Sequence, residues 1–301
     1  MLPDTGGAAE AGEVPVGELE SPRFNRVLVL ILGATGSTIV GRALNVHPWV
    51  VTAGELLKVE GRVAATVICS CGSSLDECRY WADALPLVVD DAGRVRSFAP
   101  ESFDRIALAL GGRVLVDTSK KWCWKKARWP WSAWDRRDTG FILMVRDPRG
   151  YIATTVRNGF AVDERIRRYL RWMVRQERFR RRAAGRALVV YYEDLCRDPT
   201  AELRRICEWI GIPPDPSMAW PGRHAHHLLS ANTSSYVRRE EGIRLDDRWR
   251  DELDSREIDR IERATAQVPW LRSRYAFGTR PPAMWRRFAF RLRCELERLG
   301  P

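Results

Sequence analysis

Six consecutive apolar residues, Val27 to Leu32 (VLVLIL), run directly into a glycine-rich turn, GATGST, and then into a helix-forming segment that reaches Leu44. A strand that is apolar at every position has no solvent face, so it suits the centre of a parallel sheet covered on both sides. Strand, glycine turn and helix in that order open a nucleotide-binding α/β fold.

Three further apolar runs repeat the strand pattern: Arg113 to Val116, Phe141 to Val145 and Ala187 to Tyr191. Each ends in polar residues, DTSKK (117–121), RDPRG (146–150) and YED (192–194). Ligands of open parallel sheets bind outside the carboxyl ends of the strands. The four strand ends are therefore predicted to surround one crevice. Between them the periodicity predicts helices over Pro100 to Leu110, Asp163 to Ala184, Pro199 to Ile210 and Asp254 to Ala266. Pro199 and Thr200 start the third, and Gly211 stops it.

The chain has 301 residues, 45% of them hydrophobic, enough for one large α/β domain. The expected division is a disordered tail over 1–24, a domain over 25–280, and a basic amphipathic helix over 281–301. In that last helix Trp285, Phe288, Leu292, Leu296 and Leu299 recur at helical spacing. Met1 to Ser21 is acidic and Gly-rich, without the basic start and apolar core of a signal peptide. No stretch of 18 apolar residues reads as a membrane span, and a reducing cytoplasm is the expected location.

The net charge of +11 favours an anionic partner. The arginine runs Arg165 to Arg186 and Arg280 to Arg298 lack the spacing of nucleic-acid readers, so nucleic acid is not expected. They suit solvated helix faces; the second also suits peripheral membrane contact or packing on the domain. The sequence does not indicate an oligomeric state.

GATGST offers backbone N–H groups at a helix N-terminus, an arrangement that binds anions. A Walker A loop needs GxxxxGK[ST], but Gly33 and Gly36 are too close and no lysine precedes Ser37. The dinucleotide pattern needs a glycine at position 39, which is Ile39. The turn signals phosphate binding without naming the ligand.

Five segments together resemble the PAPS-dependent sulfotransferases (PAPS is 3′-phosphoadenosine 5′-phosphosulfate; its desulfated product is PAP). Ser37 to Leu57 (STIVGRALNVHPWVVTAGELL) is similar to the family's first block, and RDPRGYIATT (146–155) to its 3′-phosphate block. VVYYEDLCRDPTAELRRICEWIGI (189–212) resembles its YED block, DTSKK its DSSK, and CSCGSSLDECRYW (69–81) a cysteine insert of bacterial members. The resemblance implies a three-layer P-loop-like domain with a central parallel sheet flanked by helices. It implies transfer of the sulfuryl group of PAPS to an acceptor hydroxyl: a carbohydrate, a lipid-linked molecule or an aromatic natural product. An ATP-dependent small-molecule kinase and a PAP-binding protein with decayed activity are the competing readings.

By that resemblance Thr35, Gly36, Ser37 and Thr38 hold the 5′-phosphosulfate, Arg146 and Thr154 grip the 3′-phosphate, and Tyr192 lies near the adenine. Arg238 follows a loop that closes over the 3′-phosphate, and Arg149 is a lesser candidate. Ser37 and Thr38 also suit a helix cap. Glu55 takes the place of the family's glutamate base, although acids also favour helix starts. The family carries Arg or Lys where this chain has Ala34; Lys120, Lys121 or, more weakly, Arg42 would have to supply that cation. His47, before a proline, reads as structural. His224, His226 and His227 suit the acceptor site or a metal. Cys69, Cys71 and Cys78 have CxC-x6-C spacing, but zinc needs a fourth ligand and none is adjacent in sequence. No metal is therefore expected, and a disulfide or free thiols are both open.

Overall fold

The computed structural model describes residues 21–119, 137–230, 242–275 and 277. Within them a five-stranded parallel sheet has the order β2-β3-β1-β4-β5. The strands are β1 (Arg26–Leu30), β2 (Val50–Gly54), β3 (Val114–Asp117), β4 (Thr139–Val145) and β5 (Ala187–Tyr191). β1 pairs with β3 on one side, Val27 opposite Val116, and with β4 on the other, Val29 opposite Ile142. All five of its residues are buried. The continuous apolar run does mark the central strand. β2 is the strand that the periodicity passes over, since VVTAG is short and ends in a glycine.

Alternate residues of β1 serve opposite cores. Leu28 and Leu30 face Phe103, Ile106 and Phe179, whereas Val27, Val29 and Ile31 face Val40, Leu44, Leu203 and Ile206. Those partners come from helices α1 (Ser37–Leu44), α3 (Pro100–Ala109), α5 (Val162–Arg182) and α7 (Pro199–Ile210). The short helices α2 (Leu56–Val59) and α6 (Tyr192–Arg197) follow β2 and β5 directly. A third core joins α4 (Pro148–Arg157) and α5 to α8 (Ser255–Thr265) and α9 (Pro269–Tyr275), through Tyr151, Tyr169, Ile261 and Leu271. The result is helix, sheet and helix in three layers, as expected. No helix among the described residues is long and apolar enough to cross a membrane. The tail over 1–20 and the C-terminal helix expected over 281–301 lie outside the described residues.

The crevice expected from the strand ends follows from this order. β1 sits between a neighbour reached through β2 and β3 and another reached through β4, so the loops after β1 and β4 diverge. A second constraint acts at the end of β2. Gly54 has φ +89°, and a Cβ there would stand 2.3 Å from the Leu229 carbonyl oxygen. Leu229 N–H donates to the Ala53 carbonyl at 2.9 Å, and Glu55 N–H donates to Leu229 at 2.9 Å. Only a glycine lets the 224–230 segment lie this close. Gly54→Ala is expected to cost about 2–4 kcal/mol from strain and overlap together. In thermal unfolding this lowers Tm by about 5–15 °C for a domain of this size; an unchanged Tm would show that the segment does not need that approach.

Candidate active site

The turn after β1 is braced from within. Thr35 is fully buried, and its hydroxyl donates to the Leu32 carbonyl at 2.7 Å. That hydroxyl holds the loop, leaving only the main chain of Thr35 for a ligand. Gly36 has φ +98° and precedes α1, and a Cβ there would meet the Tyr192 ring at 2.8 Å. The first-turn amides of α1, at Ser37 and Thr38, have no intrahelical acceptor, and the helix dipole adds positive potential there. Neither side chain caps the helix, since the N-cap is Gly36 with no side-chain cap bond. Ala34 is a non-glycine residue at φ 69°, and its methyl group places no charge in the turn.

Arg146 stands at the end of β4 and is nearly buried. Its Nη1 donates to the Ala34 carbonyl at 3.0 Å and to Thr154 Oγ1 at 3.3 Å. Its guanidinium carbon lies 4.5 Å from the centre of the Tyr192 ring. The structure thus gathers the GATGST turn, Arg146, Thr154 and Tyr192 at one place. Thr154 is on α4, whose Thr154 Oγ1 also donates to Gly150 O at 2.9 Å. Burial pushes the Tyr192 phenol well above its ordinary value, so it stays protonated. Asp246 N–H donates to that phenol at 3.0 Å.

The sequence offers no hint that Asp246 takes part. Its carboxylate pairs with Arg146 Nη2 at 3.2 Å, and its carbonyl accepts from the same nitrogen at 2.9 Å. Burial alone would raise its pKa. The hydrogen bond from Arg248 and the charge of Arg146 outweigh that and hold it at about 2. An aspartate therefore occupies part of the Arg146 fork.

Neighbouring charges are spent on scaffolding. Arg149 pairs with Asp147 at 2.6 Å and Glu262 at 2.7 Å, and stacks over Trp249. Glu193 accepts from Asp147 N–H at 2.8 Å and from the Tyr275 hydroxyl at 3.0 Å; its pKa is raised by burial. His47 is structural as expected: its Nδ1 accepts from Trp49 N–H at 3.0 Å, so Nε2–H donates to the Pro213 carbonyl at 2.9 Å.

Glu55 is buried at the carboxyl end of β2, just before α2, and makes no side-chain cap bond. Lys58, half-exposed, pairs with it at 2.6 Å. Asp117 and Ser119 accept from the amides of Leu56 and Leu57 and so fix this corner to β3. Lys120, Lys121 and Arg238 lie outside the described residues. Arg42, the weakest sequence candidate for the cation, is half-buried on α1. Desolvation lowers its pKa, and its Nε has no hydrogen-bond acceptor among the described residues. Of the histidines, His224 is exposed and His226 is buried against Pro221 O and Asn45. His227 is drawn to the three cysteines, supplying the fourth ligand type that the local sequence lacks.

An open parallel sheet with a glycine turn after β1 that leads into α1, and an arginine at the end of β4, is a P-loop-like α/β architecture. Residues 137–216, which carry Arg146, Thr154, Tyr192 and Glu193, match the model of the sulfotransferase family. The fold is similar to the sulfotransferase domain from the curacin biosynthetic pathway, at 14% identity, TM-score 0.50, with 83% of this chain and 99% of that one covered. It is also similar to the sulfotransferase domain of the Synechococcus PCC 7002 olefin synthase (18% identity, TM-score 0.48, 87% and 98% covered). A mouse sulfotransferase complexed with PAP matches at 10% identity and TM-score 0.46, with 81% and 85% covered. No curated protein sequence matches the chain significantly. The family match over residues 137–216 agrees with the resemblance expected from the motifs, and the curacin-pathway domain shares the fold.

The Asp246 contact yields a measurable consequence. Asp246→Asn removes a negative charge from the Arg146 fork while keeping its shape. Titration calorimetry with PAP is expected to show affinity rising by about tenfold, roughly 1.4 kcal/mol. Equal or weaker binding would mean that Asp246 supports Arg146 in the bound state instead of competing for it.

Proposed function

We propose that the chain transfers the sulfuryl group of PAPS to a hydroxyl group of a small-molecule or glycan acceptor. The observation that carries this is the Arg146 junction. One guanidinium touches the β1 turn, the α4 hydroxyl and the Tyr192 ring, so sites for two anionic groups and an aromatic face adjoin one another. PAPS has that layout: a phosphosulfate, a second phosphate and an adenine. In this reading the amides of Gly36, Ser37 and Thr38 take the 5′ end, Arg146 and Thr154 the 3′-phosphate, and Tyr192 the base. A planar arginine fork suits phosphate oxygens. The absence of a Walker lysine in the turn speaks against an ATP-dependent kinase.

During transfer the acceptor oxygen bonds to sulfur, the bond from sulfur to the bridging phosphate oxygen breaks, and the hydroxyl proton leaves. Glu55 is the assigned base: a carboxylate at a strand end, held in a desolvated corner, is suited to take that proton. Charge gathers on the departing phosphate, where aligned amides stabilise it. Ala34 adds none of the usual cationic help. Lys120, three residues after β3 in the sequence, is the assigned replacement, with Arg42 as the second choice.

Titration with PAP and with ATP separates donor classes, with tight PAP binding and little response to ATP expected. Tight ATP binding with no response to PAP would sink the assignment. For the base, Glu55→Gln is expected to lower turnover of labelled PAPS by about 10²–10⁴-fold, with PAP affinity unchanged. Undiminished turnover would remove Glu55 from the chemistry.

A further inference from the structure

Two segments distant in sequence, 69–78 and the one that holds His227, meet beside the end of β2. Cys71 Sγ lies 3.6 Å from Cys78 Sγ, and Cys78 Sγ lies 3.7 Å from Cys69 Sγ. His227 Nδ1 lies 3.4 Å from Cys78 Sγ and 3.8 Å from Cys69 Sγ. All four ligand atoms fall within 4.8 Å of one another. A disulfide needs about 2.05 Å between sulfurs, so these spacings are not those of a bridge. A tetrahedral ion with metal–sulfur bonds of about 2.3 Å and metal–nitrogen bonds of about 2.0 Å has edges of about 3.8 Å (S···S) and about 3.5 Å (S···N). The four spacings of 3.4, 3.6, 3.7 and 3.8 Å lie within about 0.3 Å of those edges.

The backbone holds the four ligands in place. Cys69 N–H donates to Ser73 O and Gly72 N–H to Cys69 O, both at 2.9 Å, which folds CSCGS into a tight knuckle with Gly72 at φ +100°. The His227 ring is stacked on Tyr80 with centroids 4.6 Å apart and planes 9° apart. Trp81 Nε1 donates to the His227 carbonyl at 2.9 Å, and Ser70 Oγ to the His226 carbonyl at 2.6 Å. The imidazole is thereby oriented by groups that are not themselves ligands.

We propose that Cys69, Cys71, Cys78 and His227 form a structural zinc site that fastens the 224–230 segment to the end of β2. Thiolates with one imidazole suit zinc and disfavour magnesium and calcium, which take oxygen ligands. Four protein ligands fill a tetrahedral shell, so the ion has no open position for substrate. On binding, the three thiols release their protons to solvent and the imidazole binds neutral. No redox change occurs. The ion closes a loop from Cys78 to His227, 149 residues apart. Leu229, two residues beyond His227, makes the bridge contacts with Gly54 and Cys69 and accepts from Glu55 N–H.

The test needs no turnover and does not depend on the donor. The full chain, purified under reducing conditions without chelator, is analysed by plasma mass spectrometry, and about one zinc per chain is expected. Cobalt exchange is expected to give the intense visible bands of tetrahedral, thiolate-bound Co(II). Removal of the metal by a strong chelator is expected to lower Tm, and zinc but not magnesium to restore it. Cys71→Ser, at an exposed ligand, and His227→Asn are expected to lose most of the metal, whereas Cys196→Ser, a buried cysteine elsewhere, keeps it. A chain without zinc, whose three thiols stay equally reactive when zinc is added, would overturn the site. So would a Cys71–Cys78 or Cys69–Cys78 disulfide in the native protein.

Discussion

The Arg146 guanidinium ties together parts of the chain that share no sequence neighbourhood. A buried arginine needs its donors satisfied, because an unpaired charge away from water is costly. Arg146 meets that need with the turn after β1, the α4 hydroxyl, the 242–248 segment and the π-face of Tyr192. The carbonyl of Arg146 itself accepts from the Tyr169 hydroxyl at 2.7 Å, which anchors α5 beneath it. Four elements at the carboxyl edge are thus referenced to one planar group. A site organised this way responds as a unit, since moving the arginine moves the contacts of every segment it touches.

Asp246 already fills part of that junction. Its carboxylate pairs with the guanidinium that the proposed function gives to the 3′-phosphate, and the phenol of Tyr192 is hydrogen-bonded into the same segment. Under that proposal, phosphate binding requires displacement of the aspartate or a shared fork. Asp246 is followed by Arg248, which holds the other carboxylate oxygen at 2.8 Å and offers an alternative partner when the aspartate leaves.

The other half of the crevice is built from the end of β2. Gly54, Glu55 and Leu229 exchange main-chain contacts, and the cysteine knuckle with His227 stands directly behind Leu229. A metal there stiffens a corner that has no strand partner of its own on that side, and it does so next to the carboxylate assigned as base. The energetic logic is that of a cross-link across a long loop: the constraint acts chiefly on the unfolded chain.

How much of this was legible beforehand follows from the range of each interaction. The central strand, its glycine turn and the main helices could be read directly, because binary pattern and turn chemistry are local. Pro199–Ile210 and Ala187–Tyr191 were predicted to the residue. Arg146, Thr154, Tyr192 and Glu55 were legible only as family-like motifs, and the tertiary structure decided that the first three of them meet. β2 was passed over, because a five-residue strand ending in glycine carries little periodicity. Asp246 could not be found from spacing, and His227, a metal candidate in the sequence, could not be joined to the cysteines, since each acts on a partner 100 or more residues away. The sequence by itself determined a parallel α/β domain with an anion-receptive turn. The packing of distant segments against one sheet edge decided which charges face that turn and which thiols gain a histidine, because such contacts depend on where chain ends converge and not on what lies beside them in the sequence.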